Sequence, residues 1–320
     1  MTYILIFILS FILTYLIKNY AIKKSLIADV NERSSHTVPT PHGGGIAIAV
    51  SFYLGLFYLK YNNFIEPKLF NALCCGILLS VVSFLDDIFE LPPKLRLIIQ
   101  VLVAISGLFF LGGLNSLNLF FFSINNFVFN NIFSALLIVW YINLYNFLDG
   151  INGYAGSEAV FLSIAGYIVF GGEHFLILSV SVLGFLFWNW NNAKIFMGDV
   201  GSTLLGYIVA IWTIYYANQN SSNLWIWVLL FSVFWFDATL TLFRRFKNGE
   251  RLSQAHKKHA YQRLIQAGWS HFKATNFSIV LNILLFFIAY FISNKFTAFV
   301  FAVILLYLVV KYVDSKKGFK

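Results

Sequence analysis

Apolar stretches follow one another along nearly the whole chain, with only short polar stretches between them. A helix of about 20 apolar residues crosses a bilayer, because a helix satisfies its own backbone hydrogen bonds in hydrocarbon. Eleven such runs are legible, at approximately 2–18, 43–60, 68–85, 95–113, 127–147, 154–171, 174–190, 200–217, 224–243, 274–293 and 296–311. Some are short and need snorkelling side chains at their ends. Composition agrees: hydrophobic residues make up 59% of the 320 and charged residues 11%. That excludes a soluble domain with a large core. The expected fold is all-α, a polytopic integral membrane protein of about eleven transmembrane helices, organised as one integrated domain over 1–320. The first run has no basic stretch before it and no small-residue cleavage site after it. Lys18, Lys23 and Lys24 follow instead, so it reads as a retained span rather than a removed signal. Cys74 and Cys75 are neighbours on one run and point apart, so no disulfide is expected between them. The Asn-rich segment 114–126 is expected along the outer interface.

Orientation follows from the basic residues. Nineteen of the 22 Lys and Arg fall in one set of loops and ends, and only Lys60, Lys68 and Lys295 fall in the other. The positive-inside rule puts the first set in the cytoplasm. With eleven spans, the N-terminus lies outside and the C-terminus inside. The net charge of +9 is then topology and attraction to anionic lipid, and no nucleic-acid partner is expected. Orientation does not require acids to cluster, yet all but Glu66 and Glu173 fall on the basic side, with five of the six histidines. Acids, imidazoles and bases converge on one membrane face, as a reaction site requires.

Five polar islands carry that chemistry. The stretch Asn189–Ser202 holds three Asn, Lys194 and Asp199, with Gly198 and Gly201 beside the carboxylate. A lone acid at the hydrocarbon boundary needs a partner, a metal or a task; the plain alternative is a polar cap on a helix–helix loop. The stretch Asn31–Gly45 ends in Gly43-Gly44-Gly45 at the start of a helix. It reads as an anion site or as a rigid connector with close-packed glycines. Asp86-Asp87 ends an apolar run before Leu91-Pro92-Pro93-Lys94. Adjacent carboxylates stay ionised beside a cation or a base, and their hard oxygens suit Mg²⁺ or Mn²⁺. Asn143, Asn146 and Asp149 recur every third residue, near one face of a helix end, offering amides and a carboxylate to a polar ligand. Interhelical hydrogen bonding is the alternative there. The loop 244–273 carries Arg244-Arg245 and Ala255-His256-Lys257-Lys258-His259-Ala260-Tyr261-Gln262-Arg263. Lys257 and Lys258 would repel a metal at the histidines, which favours anion binding over metal binding; a bare topological anchor is the plain alternative.

Together the islands supply carboxylates for a hard cation, bases for phosphates and amides for a polar head, the means by which phosphoryl transfer is catalysed. The boundary location suits a lipid substrate. The residues reach metal-dependent phosphoryl chemistry between a lipid and a cytosolic compound.

The chain also resembles the polyprenyl-phosphate N-acetylhexosamine-1-phosphate transferases, glycosyltransferase family 4. The motifs that carry the resemblance are Arg33-Ser34-Ser35-His36 with Pro39-Thr40-Pro41 and Gly43-Gly44-Gly45, Asp86-Asp87, Asn143 to Gly153, and Phe196-Met197-Gly198-Asp199-x-Gly201-Ser202. They occur in family order over most of the chain. His256-Lys257-Lys258-His259-Ala260-Tyr261-Gln262 is similar to the branch that starts O-antigen and related glycans, rather than to the muramyl-pentapeptide branch, whose triplet is richer in histidine. His42 departs from the arginine that many relatives of this branch carry.

The resemblance implies that undecaprenyl phosphate attacks the sugar-linked phosphorus of a UDP-N-acetylhexosamine, releasing UMP. It implies Asp199 as a Mg²⁺ ligand with Asp87, Mn²⁺ as a substitute, and Asp86 and Asp87 acting on the lipid phosphate. A phosphate monoester has a second pKa near ~6, so a base is not strictly needed. It implies nucleotide contacts from Asn152, Asn189 and Phe196, whose ring would stack on uracil. It implies a diphosphate or sugar grip from His256, His259 and Arg263, and a matching lysine in Lys94. The implied setting is a bacterial inner membrane with the site facing the cytoplasm; the partners are both substrates, membrane lipids and, as an option, a second copy of the chain. The alternatives are another lipid phosphotransferase, whose Asp-Gly motif Asp149-Gly150 only begins, and an ion-coupled transporter, which would place its acids nearer the bilayer midplane.

Overall fold

The structure, a computed structural model, describes residues 1–24, 27–28, 39–252, 254 and 256–319. Residues 31–38, including the Arg33-Ser34-Ser35-His36 motif, lie outside the described residues, as does Ala255.

The described residues form fourteen α-helices: α1 (Thr2–Lys23), α2 (Gly45–Tyr61), α3 (Pro67–Cys74), α4 (Gly76–Phe89), α5 (Pro93–Leu111), α6 (Phe127–Phe147), α7 (Tyr154–Phe170), α8 (Glu173–Asn189), α9 (Asp199–Gln219), α10 (Asn223–Leu230), α11 (Ser232–Lys247), α12 (Ala260–Gln266), α13 (His271–Phe291) and α14 (Lys295–Lys316). Each expected span falls on one helix or on two consecutive helices. Seven stretches are long and apolar enough to cross a membrane, and the bent pair α10–α11 makes an eighth. Three further apolar helices, α2, α7 and α8, have 17 residues each. At 1.5 Å per residue they measure about 25 Å, somewhat less than the ~30 Å hydrocarbon core. The protein is an all-α polytopic membrane protein. Two antiparallel ribbons accompany the helices, β1 (Ile27–Ala28) with β2 (Thr40–Pro41) and β3 (Leu117–Asn118) with β4 (Ser123–Ile124). The second ribbon lies where an interfacial segment is expected. Trp225 Nε1 donates to Asn118 O, and the Trp225 ring stacks on Phe120.

Helix α9 is the hub. It packs against α2, α3, α4, α5, α6, α7 and α10, and nearly every residue from Val200 to Ala217 is buried. Small residues bring backbones together, as membrane helices require. A Cβ on Gly206 would meet Tyr141 O and Ile142 Cα of α6. A buried polar pair links α7 to α13, where the Asn282 amide donates to Glu158 at 2.5 Å.

Two expected spans are broken, and side chains satisfy the freed carbonyls. Between α3 and α4, Tyr207 O–H donates to Ala72 O and Tyr53 O–H to Leu73 O. At Phe231 the chain bends by 71° between α10 and α11. There Ser232 Oγ donates to Leu229 O at 2.6 Å and Trp235 Nε1 to Val228 O at 2.7 Å. Non-helical backbone is tolerated at membrane depth when protein groups take up its polar atoms.

Candidate active site

One end of the bundle gathers the polar islands. The turn between α4 and α5 is closed by Asp86, whose Oδ1 accepts the Leu91 N–H at 2.8 Å. Pro93 opens α5, where its missing N–H costs nothing. One turn into α5, Arg96 reaches back: its Nη1 lies 2.9 Å from Asp86 Oδ2 and 3.7 Å from Asp199 Oδ2. Asp199 is the first residue of α9, where the helix dipole favours a negative charge. It follows Gly198, whose φ of 75° belongs to the left-handed region. The Asn146 amide nitrogen donates to Asp199 Oδ1 and to Ser202 Oγ, both at 2.9 Å. Asn143 donates to Gln100 Oε1 at 2.7 Å, linking α6 to α5. Asp86, Arg96, Gln100, Asn143, Asn146 and Asp199 line a cleft of about 290 Å³ together with the apolar side chains of Leu79, Val82, Leu97 and Phe147. Charged, amide and apolar groups therefore share a single cleft. Lys94 is exposed at the start of α5.

Asp87 looks to the other side of Asp199. Its Oδ2 is 3.9 Å from His42 Nδ1 and 3.5 Å from where a Cβ on Gly198 would stand. Burial holds the His42 imidazole below its usual pKa, although the Asp199 charge opposes this. The triple glycine resolves as a close-packed connector. Gly44 N–H donates to Phe196 O at 2.9 Å and Gly45 N–H to Met197 O at 2.8 Å, so these amides are not open to an anion. A Cβ on Gly45 would collide with Gly201 N and Cα.

The island that starts at Asn143 splits. Helix α6 ends at Phe147, so the Asn143–Asn146 face stops before Asp149, which lies in the following turn. The Asp149 carboxyl is pushed up to about 7 by burial, with the Asp199 charge adding to the effect. Asn152 Nδ2 donates to Asn191 O at 2.6 Å, while its Oδ1 is buried with no hydrogen-bond partner among the described residues. Asn189 is committed to the scaffold rather than open as a nucleotide contact. Its Oδ1 accepts the Gly153 N–H and its amide donates to Ile195 O, each at 2.8 Å. Phe196 is partly exposed in the same loop.

The loop after α11 folds around Arg245, whose side chain is buried. It donates to Glu250 Oε2 at 3.0 Å and to three loop carbonyls, of Arg251, Leu252 and Gln254. Asp237 holds the far end of the loop, accepting the Ala260 N–H at 2.8 and 2.9 Å. Tyr261 then packs against Gly150 and donates to Phe147 O at 3.2 Å, which docks α12 on the Asn143–Gly153 island. His259 is buried, 3.7 Å from Asp237. The His256 ring lies near it, tilted, with centroids 4.9 Å apart, and burial lowers its imidazole to about 4, with His259 and Arg245 contributing. At neutral pH His256 is thus uncharged, while Lys257, Lys258 and the arginines carry positive charge here. Arg263, expected on the diphosphate, is bound to Asp314 Oδ1 at 2.6 Å and to Lys317 O at 3.0 Å.

Arg96 and Gln100 are not singled out by the sequence, and the buried, loop-holding role of Arg245 is not read from it either. Arg96 and Gln100 lie one helical turn apart, so a charged and an amide residue on one face of an apolar helix was the available signal. As for a metal, no three acidic, histidine or cysteine side chains among the described residues are gathered as a cage. Mg²⁺ does not need one, since it is usually held by one or two carboxylates, waters and substrate phosphates. Asp199 and Asp87, on either side of Gly198, fit that requirement by donor chemistry.

Residues 69–217 match the model of glycosyl transferase family 4. A probable undecaprenyl-phosphate N-acetylglucosaminyl 1-phosphate transferase of Bacillus subtilis (strain 168) is 31% identical over 276 residues, 81% of this chain and 75% of that protein. An undecaprenyl-phosphate alpha-N-acetylglucosaminyl 1-phosphate transferase of Salmonella typhi is 26% identical over 83% of this chain and 76% of its own length. A phospho-N-acetylmuramoyl-pentapeptide-transferase of Streptococcus pneumoniae (strain CGSP14) is 34% identical over a shorter match, 53% of this chain and 58% of its own.

Proposed function

Since the chain belongs to glycosyl transferase family 4, the polyprenyl-phosphate hexosamine-1-phosphate transferases, we propose that it transfers a sugar 1-phosphate from a UDP-N-acetylhexosamine to undecaprenyl phosphate. An oxygen of the lipid phosphate attacks the sugar-linked phosphorus. A new P–O–P bond forms, the bond to the bridging oxygen breaks, and UMP leaves with the electron pair. The product, undecaprenyl-diphosphate-sugar, starts O-antigen or a related cell-envelope glycan. The site faces the cytoplasm of a bacterial inner membrane, where UDP-sugars are made.

The observation that carries this reading is the cleft in which Arg96 and Asp199 are lined up with the apolar side chains of Leu79, Val82, Leu97 and Phe147. A phosphate with a hydrocarbon tail suits such a mixture of cationic and apolar groups. Arg96 and Lys94 supply positive charge for the acceptor phosphate. Asp87 and Asp199 would hold Mg²⁺, or Mn²⁺ in its place; the ion would neutralise charge on the diphosphate as the bond to UMP breaks. Asn146 fixes the Asp199 carboxylate by donating to one oxygen, which leaves the other facing Arg96. Asn152, with an unused buried oxygen, and Phe196 suit the nucleoside, while the basic loop 256–263 covers the donor side. Asp86, Asp87 and Asp199 sit near helix ends, which speaks against ion-coupled transport.

The test is transfer by the purified protein. UDP-N-acetylglucosamine labelled in the sugar, undecaprenyl phosphate and Mg²⁺ should give labelled lipid and equimolar UMP. A panel of UDP-N-acetyl sugars then identifies the donor. No lipid-soluble label from any donor would overturn the reading, and full turnover in excess EDTA would remove the metal from it.

A further inference from the structure

The basic loop is held from the far end of the chain. At the close of α14, Asp314 takes Arg244 as a bidentate pair, at 2.9 and 3.0 Å, and also accepts from Arg263 at 2.6 Å. Arg263 Nη1 adds a bond to Lys317 O. Beyond the helix, the ring of Phe319 lies 5.2 Å from the Arg244 guanidinium, 5.4 Å from that of Arg263 and 5.6 Å from Lys258 Nζ. Cations within about 6 Å of a ring centroid are attracted by its negative face. Arg244 of α11 and Arg263 of α12 thus meet one carboxylate, and these two with Lys258 of the loop meet one aromatic ring, both supplied by the end of α14 and the residues after it. Without Asp314, Arg244 and Arg263 would face each other with their charges unpaired. Arg263 has little room to leave, because its side chain is only 5% exposed.

Helix α12 passes this anchorage on. It is seven residues long, too short to hold its place by itself. Asp237 fixes its start, Tyr261 rests on Phe147 and Gly150, and Arg263 ties its second turn to Asp314. We infer that the end of α14 is a clasp on the donor side of the site, with Asp314 as a positioning residue that sets α12 and the His256–His259 segment in place. This rests on the donor-side assignment made above.

The test compares full-length Asp314→Asn, Asp314→Glu and Phe319→Leu with the wild type. Asp314→Asn keeps the side-chain size and removes the charge. It should raise KM for the UDP-sugar at least about tenfold, the scale of a lost charge-assisted hydrogen bond. KM for undecaprenyl phosphate should stay within about twofold. Asp314→Glu should recover most of the loss. Trypsin cleavage after Lys257, Lys258 or Arg263, followed by mass spectrometry, should be faster in Asp314→Asn and in Phe319→Leu than in the wild type. Equal shifts in both KM values, or an unchanged UDP-sugar KM, would overturn the positioning role. Unchanged cleavage rates would overturn the clasp itself. Should the wild type transfer no sugar at all, the functional reading fails separately, and cleavage alone still decides the clasp. Should Asp314→Asn not fold, Phe319→Leu keeps every pair to Asp314 and carries both measurements.

Discussion

Arg96 stands between Asp86 and Asp199, at 2.9 and 3.7 Å from their oxygens. Its guanidinium is a cation shared between these two carboxylates. The consequence for Asp199 is testable. Asp199→Asn changes one charge and almost no volume, so packing should survive while turnover falls by at least roughly 10²–10³, the loss seen when an oxyanion-type contact goes. Initial rates measure the loss, and thermal unfolding shows that the fold is kept. Near-normal activity would move the centre of the site elsewhere. Asp149 offers a second test. Burial raises its folded pKa to about 7, against an unfolded value of about 3.9. Between these values the folded protein binds more protons than the unfolded chain, so this carboxyl favours folding less and less as pH rises through the window. Asp149→Asn removes the titration. Its melting temperature relative to the wild type should climb from pH 4 to pH 7 and then level off. A difference that does not change with pH would contradict the burial of this carboxyl. Asp199 and the Asp86-Asp87 pair were legible as lone charges at the ends of apolar runs. The employment of Asn189 and Arg263 was not, because their partners Gly153, Ile195 and Asp314 lie 36, 6 and 51 residues away, in other elements.

At the scale of elements, the apolar runs were readable because hydropathy is a local sum. The interruptions were not. No proline stands at Phe231, and the 71° bend there relies on Ser232 and Trp235 to satisfy the carbonyls of Leu229 and Val228. At Cys75 the break depends on two tyrosines from α2 and α9, which local sequence cannot show. Asp237 has the same character. It interrupts an apolar run, and its work is to accept the first N–H of α12 across the loop. The glycine triplet fits two readings by sequence, and the contact with Gly201 decides between them. Gly45→Ala should therefore lower stability by about 1–3 kcal/mol, as overpacking does. Thermal unfolding in detergent measures this, and an unchanged melting temperature would mean that α2 and α9 do not meet as closely as described.

At the scale of the molecule, hydrogen bonds and charge effects join residues 42, 86–96, 146–153, 189–199 and 256–263 at one end of the bundle. The 19 basic residues assigned to one side by sequence predict that this end faces the cytoplasm. Single cysteines placed in the loops 86–94, 148–153, 189–199 and 244–273 of a Cys74, Cys75-free protein should be shielded from an impermeant reagent added outside intact cells. Cysteines near Glu66 and Glu173 should react. Labelling of any of the first group from outside would split the site across the membrane.

Helix α9 has the lowest mean hydropathy of the seven long apolar stretches, 1.4, and is the most enclosed of them. It can be that polar because its neighbours, not lipid, form its surroundings. Those neighbours also insulate it. When a bilayer is thicker or thinner than the protein prefers, the mismatch is taken up by tilting of the helices that touch lipid, such as α1 and α14. The pillar that carries Asp199 has little outward surface through which to feel that strain. Membrane thickness should then govern how easily the long-chain acceptor reaches the cleft, and leave the spacing of the reacting groups alone.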